Sequence, residues 1–370
     1  MGITEPGIHR QNRFNSKTAA VRARTTTSAG RNTSGWQVNE PLNNGLWKWI
    51  LGIKHRPQRF LQSAHQRIPV LNFNRSFEPD YGKAVELTAG IRRITANNPG
   101  PFTFYGTNTY LIGAKSVVVI DPGPDNAAHL NDVLRAIGDS TLEAILVSHT
   151  HVDHSPGARK LKAATGAPII GCDRHRPARM LLPGEINPLD ASSDADYRAD
   201  KVLRDGEAYS GREVTLTAVE TPGHTDNHVC FALSGTPTLF SADHVMAWST
   251  SIVAPPDGSM RAYMASLETL LKRPESTYFP GHGGPVQDAP AFVDALKTHR
   301  LQREAAIRDR LGPSPVSIKD LVEQIYADVP KNLHGAAALS VYAHLEDLTE
   351  RGLAVADPEL GLNAKYRALN

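Results

Sequence analysis

Ile145-Leu146-Val147-Ser148-His149-Thr150-His151-Val152-Asp153-His154 decides how this chain of 370 residues is read. The apolar run Ala144 to Val147 reads as a buried strand. Three histidines and an aspartate follow it between positions 149 and 154. Imidazole and carboxylate are the donor types that Zn²⁺ and similar divalent ions prefer. No single strand or helix aims four such side chains at one spot, whereas a tight loop does. Three later runs end in the same way. Thr215 to Val219 leads into Thr221-Pro222-Gly223-His224, Thr238 to Phe240 into Ser241-Ala242-Asp243, and Thr277 to Phe279 into Pro280-Gly281-His282. In a layered α/β protein, groups at strand ends along one sheet edge converge on one crevice. The pattern therefore predicts a metal site rather than scattered surface histidines.

The ordered set resembles the metallo-β-lactamase superfamily. His149, His151, Asp153 and His154 match its HxHxDH signature, and His224, Asp243 and His282 match its later His, Asp and His. The resemblance covers about Val85 to His282. It implies an α/β fold, the αββα four-layer sandwich, with two zinc ions per chain on one edge; iron and manganese are the alternatives. One ion would take His149, His151 and His224, the other Asp153, His154 and His282, with Asp243 bridging. Asp153 would also orient the attacking hydroxide, which makes it the catalytic candidate. Asp121 ends the apolar strand Ser116 to Ile120 and in that family lies beside the site, where it could orient a ligand imidazole; plain turn chemistry is the competing reading. Two metals activate water directly, so no Ser or Cys nucleophile is needed. His228 and His244 lie near ligands in sequence and read as core or supporting residues. The flavin-linked di-iron members carry Glu where His151 stands. The 38 residues between Asp243 and His282 are too few for the cap of the β-CASP nucleases.

Composition sets further bounds. Hydrophobic residues make up 40% of the chain, enough for a sizeable core. No apolar run approaches the ~20 residues that span a bilayer. Cys172 and Cys230 sit in apolar runs and read as buried thiols. The net charge of +2 hides an uneven distribution: residues 1–65 hold ten Lys/Arg against two Glu. This segment, 1–65, reads as a basic, disordered N-terminal extension. Its richness in Arg, Ser and Thr resembles an organellar transit peptide, so the organellar matrix stands as the alternative to a cytoplasmic location. Within it, Leu46 to Ile53 is a sticky patch expected to dock on the body.

Residues 66–288 read as the catalytic domain. Strands are expected over Val85 to Thr95 and Phe102 to Ile112, and helices over Asp125 to Ile137, Pro156 to Ala164, Arg174 to Leu182 and Met260 to Leu271. Pro183 to Asp200 and Trp248 to Ser259 read as loops at the mouth of the site. Residues 289–370 differ in character. A polar helix (Ala289 to Leu311), a helix capped by Ser317 (Ile318 to Tyr326), a third helix (Leu333 to Glu350) and a pair of strands (Leu353 to Ala356, Ala364 to Leu369) suggest a small winged helix. The same order follows the catalytic domain in the beta-lactamase-like protein 2 group, which Phe104-Tyr105-Gly106-Thr107-Asn108-Thr109-Tyr110-Leu111 also resembles; that group includes a single-strand-specific endoribonuclease.

The third helix offers Arg351 against Glu346, Asp347 and Glu350, so duplex DNA is not an expected partner. A role in shaping the site or an interface is expected instead. The reading is a dinuclear zinc hydrolase acting on a small molecule or on single-stranded RNA. A glyoxalase II-like thioesterase and a mononuclear iron sulfur dioxygenase are the alternatives. The sequence leaves the oligomeric state open.

Overall fold

The computed structural model describes residues 71–369. The expectations for the basic extension and its apolar patch lie outside these residues. Strands β1 (Val85–Thr88), β2 (Ile91–Thr95), β3 (Asn108–Ile112) and β4 (Ser116–Ile120) form an antiparallel meander. Helix α1 (Ala127–Ile137) then leads to β5 (Thr141–Val147), and α2 (Gly157–Thr165) leads to β6 (Ile169–Gly171) and β7 (Lys201–Val202). From β4 to β7 the pairing is parallel, which completes a seven-stranded sheet in sequence order. The second sheet holds β8 (Ala208–Ser210), β9 (Thr215–Glu220), β10 (Val229–Leu233), β11 (Thr238–Ala242), β12 (Thr277–Pro280) and β13 (Val286–Gln287). Helix α3 (Met260–Leu271) crosses between β11 and β12, the one parallel pair in that sheet.

Side-chain alternation explains the layering. Phe231, Phe240 and Phe279 point from β10, β11 and β12 into a core shared with β3, β4 and β5. Their neighbours Cys230, Leu239 and Tyr278 point the other way, onto α3 and the start of α4 (Ala289–Arg308). Helices α1 and α2 contribute Val133, Ile137, Ala158 and Leu161 to the core of the first sheet. The result is the expected α/β arrangement of two facing sheets with helices outside.

Several elements differ from expectation. Val85 to Thr95 is two strands, because Gly90 turns the chain at φ +77. Phe102 to Thr107 is not strand: Phe104 has φ +57, and a Cβ on Gly106 would lie 1.9 Å from the Ala96 carbonyl oxygen, so the segment folds back on itself. Arg174 to Leu182 is not a helix. Pro177 within it has no N–H to donate and biases its predecessor toward extended backbone, while Arg176 and Arg179 are drawn to acidic partners on other segments.

The C-terminal part contains α5 (Ile318–Ile325), α6 (His334–Glu350) and a sheet of β14 (Val316–Ser317), β16 (Lys365–Ala368) and β15 (Ala354–Asp357). Ser317 caps α5 in a capping box with Asp320, as the sequence suggested. Ile307, Leu321, Val341, Leu345 and Tyr366 form its core. Helix α4 serves both cores, with Val293 and Leu296 on the catalytic side and Ile307 on the other. No helix among the described residues is long and apolar enough to cross a membrane.

Candidate metal centre

The seven residues singled out in sequence meet at one edge of the two sheets. His149, His151, Asp153 and His154 occupy the turn after β5. His224 lies in the turn after β9, Asp243 directly follows β11, and His282 follows β12 by one residue. Backbone geometry allows the crowding. Asp121 (φ 49) and Ala242 (φ 42) both take left-handed conformations where their strands end. Gly281 permits close approach: a Cβ there would lie 2.3 Å from Asp243 Oδ1 and 2.6 Å from His154 Cε1.

Three donor groups result: His149/His151/His224/Asp243, Asp153/His154/His282, and Asp121/His149/His154, the last sharing its histidines with the other two. In the first, His151 Nδ1 lies 3.1 Å from His149 Nε2 and 3.0 Å from His224 Nε2. In the second, His154 Nε2 and His282 Nε2 are 3.4 Å apart, and each is 3.3 Å from Asp153 Oδ2. Asp243 reaches both groups, with Oδ1 3.4 Å from His154 Nε2 and Oδ2 3.6 Å from His224 Nε2 and 3.3 Å from His282 Nε2. Apart from Asp153, whose side chain is 20% exposed, these residues are buried.

The far sides of four of the five rings, those of His149, His154, His224 and His282, are held in place, which sets which nitrogen points inward. His154 Nδ1 faces Asp121 Oδ2 at 3.0 Å, His224 Nδ1 faces the Ile252 carbonyl at 2.6 Å, and His282 Nδ1 faces the Gly106 carbonyl at 3.1 Å. Ser148 Oγ lies 3.0 Å from His149 Nδ1 and donates to Asp121 Oδ2 at 2.6 Å; the Ser148 N–H donates to Asp121 Oδ1 at 2.8 Å. Thr107 Oγ1 donates to Asp153 Oδ2 at 2.9 Å. Ser148 and Thr107 escaped the sequence reading, although Ser148 directly precedes the first histidine. The Ile252 and Gly106 carbonyls leave no mark in a sequence, since every residue carries one.

The electrostatics split the site. Burial, then the neighbouring His154 and His151 rings, hold His149 well below its ordinary pKa. Burial and His224 bring His151 down to about 3, and burial lowers His224 too. Burial alone would also lower His154 and His282. There the Asp153 and Asp243 carboxylates outweigh it, raising His154 well above its ordinary value and His282 to about 10. Both carboxylates are held well below the usual range by the same histidines, against the opposing effect of burial. The cluster also leaves His151 Nε2 and Asp243 Oδ1 buried without hydrogen-bond partners among the described residues.

His228 and His244 are buried behind the cluster. His228 Nδ1 meets Thr221 Oγ1 at 2.8 Å, and His244 packs on the Tyr263 ring with neither nitrogen hydrogen-bonded among the described residues. Cys172 and Cys230 are free, buried thiols whose pKa values burial pushes up, and no cysteine belongs to the cluster.

Residues 102–282 match the model of the metallo-beta-lactamase superfamily, and residues 317–361 that of the beta-lactamase associated winged helix domain. A beta-lactamase-like protein 2 homolog of Drosophila melanogaster is 32% identical over 276 residues, covering 72% of this chain and 90% of that protein. The chain belongs to the metallo-β-lactamase superfamily. It is a hydrolase of that superfamily, with a winged helix after the catalytic fold. An atrochrysone carboxyl ACP thioesterase of Aspergillus chevalieri is 25% identical, covering 75% of this chain and 82% of that one. Among solved structures, a beta-lactamase domain protein from Burkholderia ambifaria superposes with a TM-score of 0.64 at 20% identity, covering 79% of this chain and 96% of the other. That likeness is one of fold. The superfamily binds divalent metals, and the His/Asp groups described above have the donor chemistry for them.

Proposed function

We propose that this chain is a dinuclear zinc hydrolase in which His149, His151 and His224 hold one ion, Asp153, His154 and His282 hold the other, and Asp243 lies between them. The spacing of the inward atoms carries this reading. Donors bound to one zinc at about 2.0–2.2 Å in tetrahedral directions stand roughly 3.3–3.6 Å apart. The observed separations within the two groups, 3.0 to 3.6 Å, lie at that spacing or a few tenths of an ångström below it. Bound there, the ions would bring the pKa of water from ~15.7 to about 7, giving a nucleophile at neutral pH, and would polarise the oxygen of the scissile group.

The protein's own contribution is orientation. Asp153 is the ligand candidate open to the cleft; its Oδ1 accepts no hydrogen bond from another described residue, so it can align the attacking water while Thr107 and the two histidines fix Oδ2. Ser148 and Asp121 hold His149 and His154 from behind. The buried thiols, with pKa values pushed up, offer no competing nucleophile.

Single-stranded RNA and a thioester are the two substrate readings, and we favour the thioester. Binding phosphates depends on Lys and Arg. The third helix of the winged part, α6, turns its Glu346 and Asp347 toward the catalytic domain, where Arg179 and Arg261 bind them, instead of offering a face to nucleic acid. The relatives named as thioesterases lend the same support. Parallel assays with thioesters and a labelled single-stranded RNA test this, with metal content measured on the same samples. His151→Ala is expected to bring turnover to background and to lower bound metal while the fold persists. Full activity in a metal-depleted His151→Ala protein would refute the scheme.

A further inference from the structure

We propose that a groove between the 182–188 segment and the wing receives the apolar acyl chain of the thioester substrate. The proposal rests on the thioester reading above and adds the place where the substrate's specificity is read. The groove has a volume of about 510 Å³ and is lined by Leu182, Ile186, Pro255, Tyr342, Leu360 and Leu362, among others. Its walls thus come from both loops at the mouth, from α6 and from the β15–β16 connection.

Three observations identify the occupant. The first is charge. Among the described residues no Lys or Arg lines the groove; of its two charged lining residues Glu185 is paired with Arg179, and Glu359 is left as a free carboxylate. A polyanionic backbone is repelled there, whereas an uncharged hydrocarbon is not. The second is unpartnered apolar surface. Of the lining residues, Ile186 is 86% exposed, and Leu362 from the β15–β16 connection is exposed as well. Large apolar side chains gathered in this way around a concavity mark a binding surface.

The third is reach. The Ile252 carbonyl fixes His224, and Pro255 lies three residues further on, so the near wall begins within about 11 Å of that carbonyl. A straight alkyl chain advances about 1.25 Å per bond, so roughly ten carbons span such a distance. The far loop is tied to the site as well. The Val152 N–H donates to the Ser192 carbonyl at 2.9 Å, and Asn187 Nδ2 donates to the buried Asp257 at 2.9 Å. The groove therefore keeps a fixed position relative to the donors. With the acyl chain seated, the water oxygen bonds to the thioester carbon, the carbon–sulfur bond breaks, and the sulfur leaves with a proton as the free thiol.

The test compares acetyl and decanoyl thioesters of N-acetylcysteamine on the metal-loaded full chain, following the released thiol. The decanoyl substrate is expected to show at least ~10-fold higher kcat/KM. Ile186→Asp and Leu362→Asp, at exposed positions outside the donor cluster, are expected to remove that preference while leaving acetyl turnover within about twofold. Calorimetric titration with a non-hydrolysable decanoyl thioether should show binding to the wild type that the variants lose. Equal rates for both chain lengths, or variants that keep the preference and the thioether affinity, would overturn the groove assignment and leave the thioester reading standing. Cleavage of RNA with neither thioester hydrolysed would overturn the thioester reading and the groove assignment with it.

Discussion

Asp121→Asn separates two accounts of one carboxylate. If Asp121 only shapes a turn, asparagine replaces it at little cost, because Asn tolerates the left-handed conformation seen at φ 49. If it orients a metal ligand, the charge and the second acceptor matter. Asp121 accepts from the Ser148 N–H through Oδ1, and through Oδ2 it meets both Ser148 Oγ and His154 Nδ1. An amide supplies one acceptor oxygen, so one side must face an NH₂ group. With the oxygen kept on the Ser148 N–H, His154 Nδ1–H loses its acceptor. Losing a buried hydrogen bond to a charged partner costs about 1.5–3 kcal/mol, which is roughly 10- to 150-fold in an equilibrium constant. The loss should appear as weaker binding of the ion that His154 would hold, in line with the 10–100-fold effect typical of such supporting partners. Titration of the metal-free protein with Zn²⁺ against a competing chelator measures it, and thermal unfolding checks the fold. A folded Asp121→Asn protein with unchanged affinity for both ions would refute the reasoning and leave turn chemistry as the whole role of this residue.

Two further predictions concern the packing around the site. Arg179 binds Glu185 through 2.6 and 2.7 Å hydrogen bonds and also binds Glu346 and Tyr342, so Arg179→Met strands a buried carboxylate on α6. Breaking such a pair costs ~3–5 kcal/mol when fully buried, and about 2–3 kcal/mol here because Arg179 is one-fifth exposed; urea unfolding should show that loss, with more than half recovered in Arg179→Met/Glu346→Gln, and an unchanged midpoint in the single variant would contradict it. His344 is buried on α6 with neither nitrogen hydrogen-bonded, and burial, with Arg300, His299, Arg351 and Arg303 nearby, brings its pKa down to about 3. The ring is neutral in the fold and takes a proton in the unfolded chain, so its contribution is complete above pH 6.5 and fades as pH falls from 6.5 toward 3. His344→Leu should therefore lose less stability than the wild type between pH 6.5 and 4, and parallel losses across that range would exclude His344 as the cause.

The sequence carried the site further than it carried the loops, for a physical reason. The candidate ligands are side chains whose chemistry is rare and whose positions, just past apolar runs, coincide with strand ends. His149 to His154, His224, Asp243 and His282 were therefore visible, and the structure gathers them into neighbouring donor groups, with Asp243 reaching both. Long amphipathic elements were equally plain: α3 spans Met260–Leu271, as its apolar spacing indicates. What the sequence hid depends on contacts between distant segments. The Arg174 to Leu182 stretch has helical composition apart from Pro177, yet Arg179 is worth more to Glu185 and Glu346 than to a helix face. Short strands such as β7, β8, β13 and β14 are two or three residues long and exist through their neighbours, so no periodicity announces them.

The acidic residues of α6 show how such contacts change the meaning of a pattern. In the sequence, Glu346, Asp347 and Glu350 only argue against duplex DNA as a partner. In the fold, Glu346 and Asp347 are buried and point at the catalytic domain, where Arg179 and Arg261 meet them; Arg261 also reaches Glu350. Arg179 in turn grips Glu185, in the loop whose Ser192 carbonyl accepts from Val152 between two candidate ligands. A continuous chain of contacts therefore runs from the third helix of the winged part, through one loop, to the metal turn. Helix α4 ties the same two parts together from behind, its first half in the catalytic core and its end in the other. A winged helix held this way has its third helix packed on the catalytic domain through Glu346 and Asp347 rather than free to enter a groove. That is why its acidity, unfavourable for binding phosphates, is compatible with a role in hydrolysis.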